Sequence, residues 1–133
     1  MIFILFGVIT TAIQAIGLEL NQEVAQLIAG QPFPMLLLIA LRAGVVEEVL
    51  YRGYAFERLF DLTKSKWLAA LVPVIIFALV HLPWGVGHLV FVFFAGGIFM
   101  LVYISKRNLA LIMIAHFTTD VIVLTVLTML LGS

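Results

Sequence analysis

Long apolar runs separated by short polar breaks set the pattern of this chain. Residues 2–18 are apolar apart from Thr10, Thr11 and Gln14, and they approach the ~17-residue lower limit for a membrane-spanning helix. A signal peptide would want a positive start, which Met1-Ile2-Phe3 does not supply, so a retained helix is predicted. Residues 19–33 hold Glu19, Asn21, Gln22, Glu23, Gln26, Gln31 and Pro32, a polar linker with a short interfacial turn of helix.

A second helix is predicted from about Pro34 to Phe60, with Pro34 in its first turn, where a missing N–H costs nothing. Arg52, Glu57, Arg58, Asp61, Lys64 and Lys66 mark its exit into water. A third helix, about Lys66 to Leu82, includes Pro73, which membrane helices tolerate when neighbours re-satisfy the freed carbonyl. It ends at His81-Leu82-Pro83-Trp84-Gly85-Val86-Gly87, a turn by its proline and glycines, with Trp84 suited to the headgroup level. A fourth helix, about His88 to Ser105, contains Ala95-Gly96-Gly97, small residues that let another backbone approach. Lys106-Arg107-Asn108 breaks the run, and a fifth helix is predicted over Leu109 to Leu131.

The composition agrees with an all-α polytopic bundle of about five membrane helices. Of 133 residues, 65% are hydrophobic and 11% charged, with a mean hydropathy of +1.27, whereas about a quarter of residues in soluble domains are charged. Formal charge is zero, so no basic face points to nucleic acid. The absence of cysteine excludes disulfides, thiolate metal sites and cysteine nucleophiles. There is no internal repeat and no low-complexity linker, and one domain over residues 1–133 is expected.

Arg58, Lys64 and Lys66 follow the second helix, and Lys106 and Arg107 follow the fourth. These two connections fall on one side, which the positive-inside rule makes cytoplasmic, with the N-terminus inside and the C-terminus outside. Counted from the cytoplasmic ends at ~1.5 Å per residue, His116 lies ~12 Å deep, Glu47 ~15–20 Å, Asp120 ~18 Å and His81 ~22 Å, within one slab of membrane.

Those residues matter because ionisable groups inside a membrane are expensive unless paired or facing a polar cavity. Glu48 and Arg52 are four apart and share a helix face, a natural ion pair, which leaves Glu47 pointing elsewhere as the carboxylate free to act as a base. Phe77 and His81 are also four apart, so the ring can fix the imidazole's direction. His116 and Asp120 share a face in an otherwise apolar helix, and a carboxylate one turn away can hold an imidazole tautomer. His88 starts a helix after a turn and is left out of the site. One carboxylate and two histidines can activate water and polarise a carbonyl, the parts that amide hydrolysis needs. Other protease chemistries fit less well. Ser65, Ser105 and Ser133 all lie at segment ends, Asp120 has no second membrane aspartate, and no His-Glu-x-x-His run is present.

In order along the chain, Glu47-Glu48-x-x-x-Arg52, Phe77-x-x-x-His81 and His116-x-x-x-Asp120 resemble the three motifs of the CPBP intramembrane proteases. That family, also called ABI, includes type II CAAX prenyl endopeptidases and bacteriocin-processing or immunity proteins. The resemblance covers about residues 36–125. It implies an intramembrane endopeptidase in which Glu47 and His81 activate water, His116 and Asp120 face the substrate carbonyl, and Glu48 and Arg52 support them. Prenyl-protease members tend to have Asn where this chain has Asp120. An ionised Asp120 would repel an oxyanion, so it must be protonated or serve to orient His116. The resemblance also implies no tightly bound metal, although Glu47, His81 and His116 offer donors that would suit zinc. The partners implied are a membrane-associated peptide or protein substrate, prenylated in some relatives, and the bilayer. Many relatives have around eight helices, so this chain is a minimal version, a fragment, or a protomer that completes its walls as a homo-oligomer. The rivals are a non-catalytic adaptor or bacteriocin-immunity protein that binds through the same pocket, and an ion or proton carrier.

Overall fold

The computed structural model describes Gly17 and residues 21–131, all of whose regular structure is helical. The predicted helix over residues 2–18 lies, apart from Gly17, outside the described residues. The first element is α1 (Gln22–Ala29), started by the Asn21 side chain, which accepts from the Glu23 and Val24 amides. It is two turns long, more than the single turn expected in the linker. It buries Ala25 and Ala29, packs on the last helix, and lies at 117° to the helix that follows.

That helix, α2 (Phe33–Thr63), begins after Pro32, carries Pro34 in its first turn as expected, and runs three residues past the predicted end. Its middle is not α-helical. The turns widen to π geometry over Ala43–Glu47 and again over Val49–Phe56. The burial pattern gives the reason. Leu36, Ala40, Gly44, Glu48, Arg52 and Phe56, four apart throughout, are all buried. In a regular α-helix a four-residue repeat drifts about 40° per step, so this stripe would swing by roughly 200° around the axis. Wider turns cancel the drift and keep the stripe facing the bundle, and π turns are found often at functional sites.

Lys64, with a left-handed φ of 56°, ends α2. Ser65 then caps α3 (Lys66–Leu79). This helix stops three residues before the predicted end. Pro83 disfavours helix at the residue before it, and the chain passes into a single 3₁₀ turn over Leu82–Trp84. His81 therefore sits just beyond the helix rather than within it. Two long helices follow, α4 (Val86–Lys106) and α5 (Leu109–Leu131), the latter with the predicted bounds. Each is long and apolar enough to cross a membrane, and α1 with α2 passes the same test as a bent pair.

Two apolar clusters hold the bundle. Phe56, Ala69, Val74, Phe99, Met100 and Ile112 join α2, α3, α4 and α5 near the basic end. Leu36, Ala40 and Leu124, with Ile28 and Phe117, join α1, α2 and α5 near the other. At the basic end Glu57 ties α2 to α4 and its exit, accepting from Tyr103 Oη at 2.8 Å and pairing with Arg107 at 3.0 Å. Large apolar side chains such as Leu38, Leu50, Phe94 and Ile114 remain exposed, as suits a chain whose solvent is lipid.

Gly44 is where α2 and α5 touch. A Cβ there would lie 2.9 Å from the Phe117 amide nitrogen and 3.0 Å from the Met113 carbonyl oxygen, backbone atoms that cannot step aside. Gly→Ala in a helix interior ordinarily stabilises by up to ~1 kcal/mol. Here the overlap wins, and Gly44→Ala is expected to cost about 1–3 kcal/mol, read as a lower melting temperature in detergent.

Candidate active site

Between the two apolar clusters the buried stripe of α2 turns polar. Glu48 and Arg52 are completely buried, and Arg52 Nη1 donates to Glu48 Oε1 at 2.9 Å, the expected i, i+4 pair. Arg52 Nη2 donates to the Gly96 carbonyl at 2.8 Å, and its guanidinium lies 5.2 Å from the centre of the Phe77 ring. Gly96 makes this approach possible. A Cβ there would lie 2.9 Å from Phe77 Cδ1. The small residue at 96 makes room for the Phe77 and Arg52 side chains rather than for another backbone as expected, and a Cβ on Gly97 would meet none of the described residues within 4 Å.

The same Glu48 oxygen lies 2.6 Å from His116 Nδ1. A carboxylate oxygen that already accepts from arginine accepts again here, so Nδ1 carries a proton and donates. The other ring nitrogen, Nε2, is 3.5 Å from Asp120 Oδ2 and 3.9 Å from Glu47 Oε2. These separations are longer than a good hydrogen bond, and the second suits a bridging water. Glu47 and Asp120 side chains are 22% and 28% exposed, against none for Glu48, so one face of the imidazole is sealed and the other opens on accessible carboxylates. Helical spacing separated the two glutamates correctly. What it missed is that Glu48, 68 residues away in sequence, holds the His116 ring; Asp120, expected to orient it, stands at the opposite nitrogen.

His81 Nδ1 lies 2.7 Å from the carbonyl of Phe77. A carbonyl only accepts, so Nδ1 donates and Nε2 keeps the lone pair of the neutral ring. Phe77 is the hub that relates His81 to the rest. Its ring lies 4.9 Å from His81, 4.9 Å from Tyr51 and 6.4 Å from His116, edge-on in each case. Among the described residues no hydrogen bond or ion pair joins His81 directly to Glu47 or His116. The structure therefore brings Glu47, Glu48, Arg52, His116 and Asp120 into one polar cluster and sets His81 beside it across Phe77.

His88, left out of the site by its sequence position, lies beside His81, with ring centres 5.6 Å apart, and stacks on Trp84 at 5.1 Å. The signal was the turn itself. Pro83 and Gly85 fold α4 back on α3, which brings together residues on either side of it. Asn21 pins that turn, donating from its backbone to the Trp84 carbonyl at 2.8 Å and from its side chain to that of Pro83 at 3.1 Å. Among the described residues no group of three or more His, Cys, Asp or Glu side chains is arranged to hold a metal ion.

A family model described as type II CAAX prenyl endopeptidase, Rce1-like, matches residues 29–122, a span that contains all seven residues of the three motifs. No curated protein and no solved structure gives a match. The family match takes in α2, α3, α4 and the part of α5 that carries His116 and Asp120, well over half of the chain. On that span the chain belongs to the Rce1-like family of type II CAAX prenyl endopeptidases.

Proposed function

We propose that the chain is an intramembrane endopeptidase that hydrolyses a peptide bond through a water activated by Glu47. The observation that carries this reading is the two-sided environment of His116: a sealed Glu48–Arg52 pair behind Nδ1, and two accessible carboxylates in front of Nε2. Glu47 takes a proton from water as the oxygen bonds to the carbonyl carbon. His81, with Nε2 free to accept, shares in orienting that water. The carbonyl oxygen becomes an oxyanion and needs donors already in place. His116 supplies one from Nε2 as an imidazolium, a cation matched by Glu48 behind it and Asp120 beside it. When the C–N bond breaks, the proton held by Glu47 passes to the leaving amine. Asp120, 3.5 Å from Nε2, balances the imidazolium by its charge until substrate arrives, a role in which that charge aids His116 rather than opposing the oxyanion.

The family's description favours a prenylated peptide as the substrate class. A C-terminal C-a-a-X box is prenylated on its cysteine, and such a peptide places its lipid in the bilayer and its scissile bonds near the surface. We place the basic ends of α2 and α4 in the cytoplasm by their lysines and arginines. In proteoliposomes containing the full chain, a farnesylated peptide ending in such a box is expected to lose its last three residues, read by mass spectrometry. Intact peptide after prolonged incubation, prenylated or not, would overturn the reading.

A further inference from the structure

On the outer side of α3 and α4, away from the polar cluster, lies an apolar groove of about 300 Å³ lined by Trp67, Ala70, Val74, Phe94, Gly97 and Leu101 among others. Among the described residues nothing requires a glycine at 97, since a Cβ there would meet none of their atoms within 4 Å. Glycine nonetheless weakens a helix relative to alanine, and one established use of it is to let another molecule come close to the backbone. The groove is therefore a place where something other than the described residues can lie against α4.

Charge at its mouth says what. The groove ends at Trp67, and Lys66 Nζ stands 5.0 Å over that indole. Lys64 precedes it in the α2–α3 turn and Lys106 closes α4, all three exposed. Among the described residues Arg58, Lys64, Lys66, Lys106 and Arg107 stand at this end against Glu57 and Asp61, and Arg107 is already engaged by Glu57. A cationic mouth with a tryptophan at its rim, leading into an apolar slot, matches an anionic headgroup followed by one hydrocarbon chain.

We propose that the α3–α4 groove binds an anionic phospholipid, with an acyl chain lying along Val74 and Gly97 and the phosphate held by Lys64, Lys66 and Lys106. The basic connections would place it in the cytoplasmic leaflet, where anionic lipids concentrate. This site is distinct from the polar cluster and stands whether or not the chain cleaves peptides.

The test uses the full chain purified in mild detergent, with phosphatidylglycerol and phosphatidylcholine of identical chains as probes. Retained lipid is read by native mass spectrometry and stabilisation by thermal shift. Phosphatidylglycerol is expected to bind more tightly, and Lys66→Gln to weaken it about fivefold while leaving phosphatidylcholine unchanged, as one lysine near an anionic headgroup contributes roughly 1 kcal/mol. Gly97→Leu fills the slot and is expected to remove the specific binding of phosphatidylglycerol. Equal retention of the two lipids overturns the headgroup assignment. Undiminished phosphatidylglycerol binding by folded Gly97→Leu overturns the groove. Where Gly97→Leu does not fold, undiminished binding by Ala70→Leu, which intrudes from the opposite wall, overturns it equally.

Discussion

Glu47→Gln is expected to abolish peptide cleavage while leaving the folded protein in the membrane. The amide keeps the size and shape of the side chain but cannot take a proton from water, and removing a positioned general base costs typically ~10²–10⁴ in rate. Stability should barely change. Glu47 is part-exposed, and among the described residues its nearest ionisable partner, His116 Nε2, is 3.9 Å away, too far for a hydrogen bond that the fold would miss. The measurement is the initial rate on a fluorescent prenylated peptide in proteoliposomes, set beside the melting temperature of the same preparation. A variant that keeps more than about a tenth of the wild-type rate falls outside that range and removes Glu47 from the role of base. A variant that loses cleavage yet preserves the cellular phenotype would favour an adaptor that uses the pocket only for binding.

The contrast between Glu47 and Glu48 shows what the sequence could and could not carry. Helix bounds were legible wherever a polar break is sharp. Lys66 opens α3, and Arg107-Asn108, within the expected Lys106-Arg107-Asn108 break, separates α4 from α5. The Glu48–Arg52 pair was legible because it is a local, four-residue relation. The π-wound middle of α2 was not, since it answers to a burial stripe that must face α5 in its first part and α3 and α4 further on, and a tertiary demand of that kind leaves no local signature. Nor could spacing along α2 reveal that the sealed glutamate reaches His116 on α5. His88 was set aside by its position after a turn, and the same turn is what folds it against His81. In each case the residues were visible and the contact across helices was not.

The Glu48–Arg52 pair carries both fold and function, and substitutions should separate the two. Arg52→Met leaves the Glu48 carboxylate completely buried without its cation, and breaking a buried pair from one side costs about 3–5 kcal/mol. Against a typical total of ~5–15 kcal/mol, folded yield from membranes should drop sharply. The double variant Glu48→Gln with Arg52→Met buries no bare charge, so much of that yield should return, as measured by monodisperse protein after size-exclusion chromatography. Cleavage should not return with it. A glutamine oxygen still accepts from His116 Nδ1, but it brings no negative charge to balance an imidazolium, and the Nε2–H that meets the oxyanion is weakened. Losing one such donor costs roughly 10²–10³ in rate. If Glu48 only neutralises Arg52, the double variant should recover activity together with yield. Recovery of yield alone assigns Glu48 to His116 as well, and failure of both would mean that the carboxylate bridging α2 and α5 is itself required for the helices to meet.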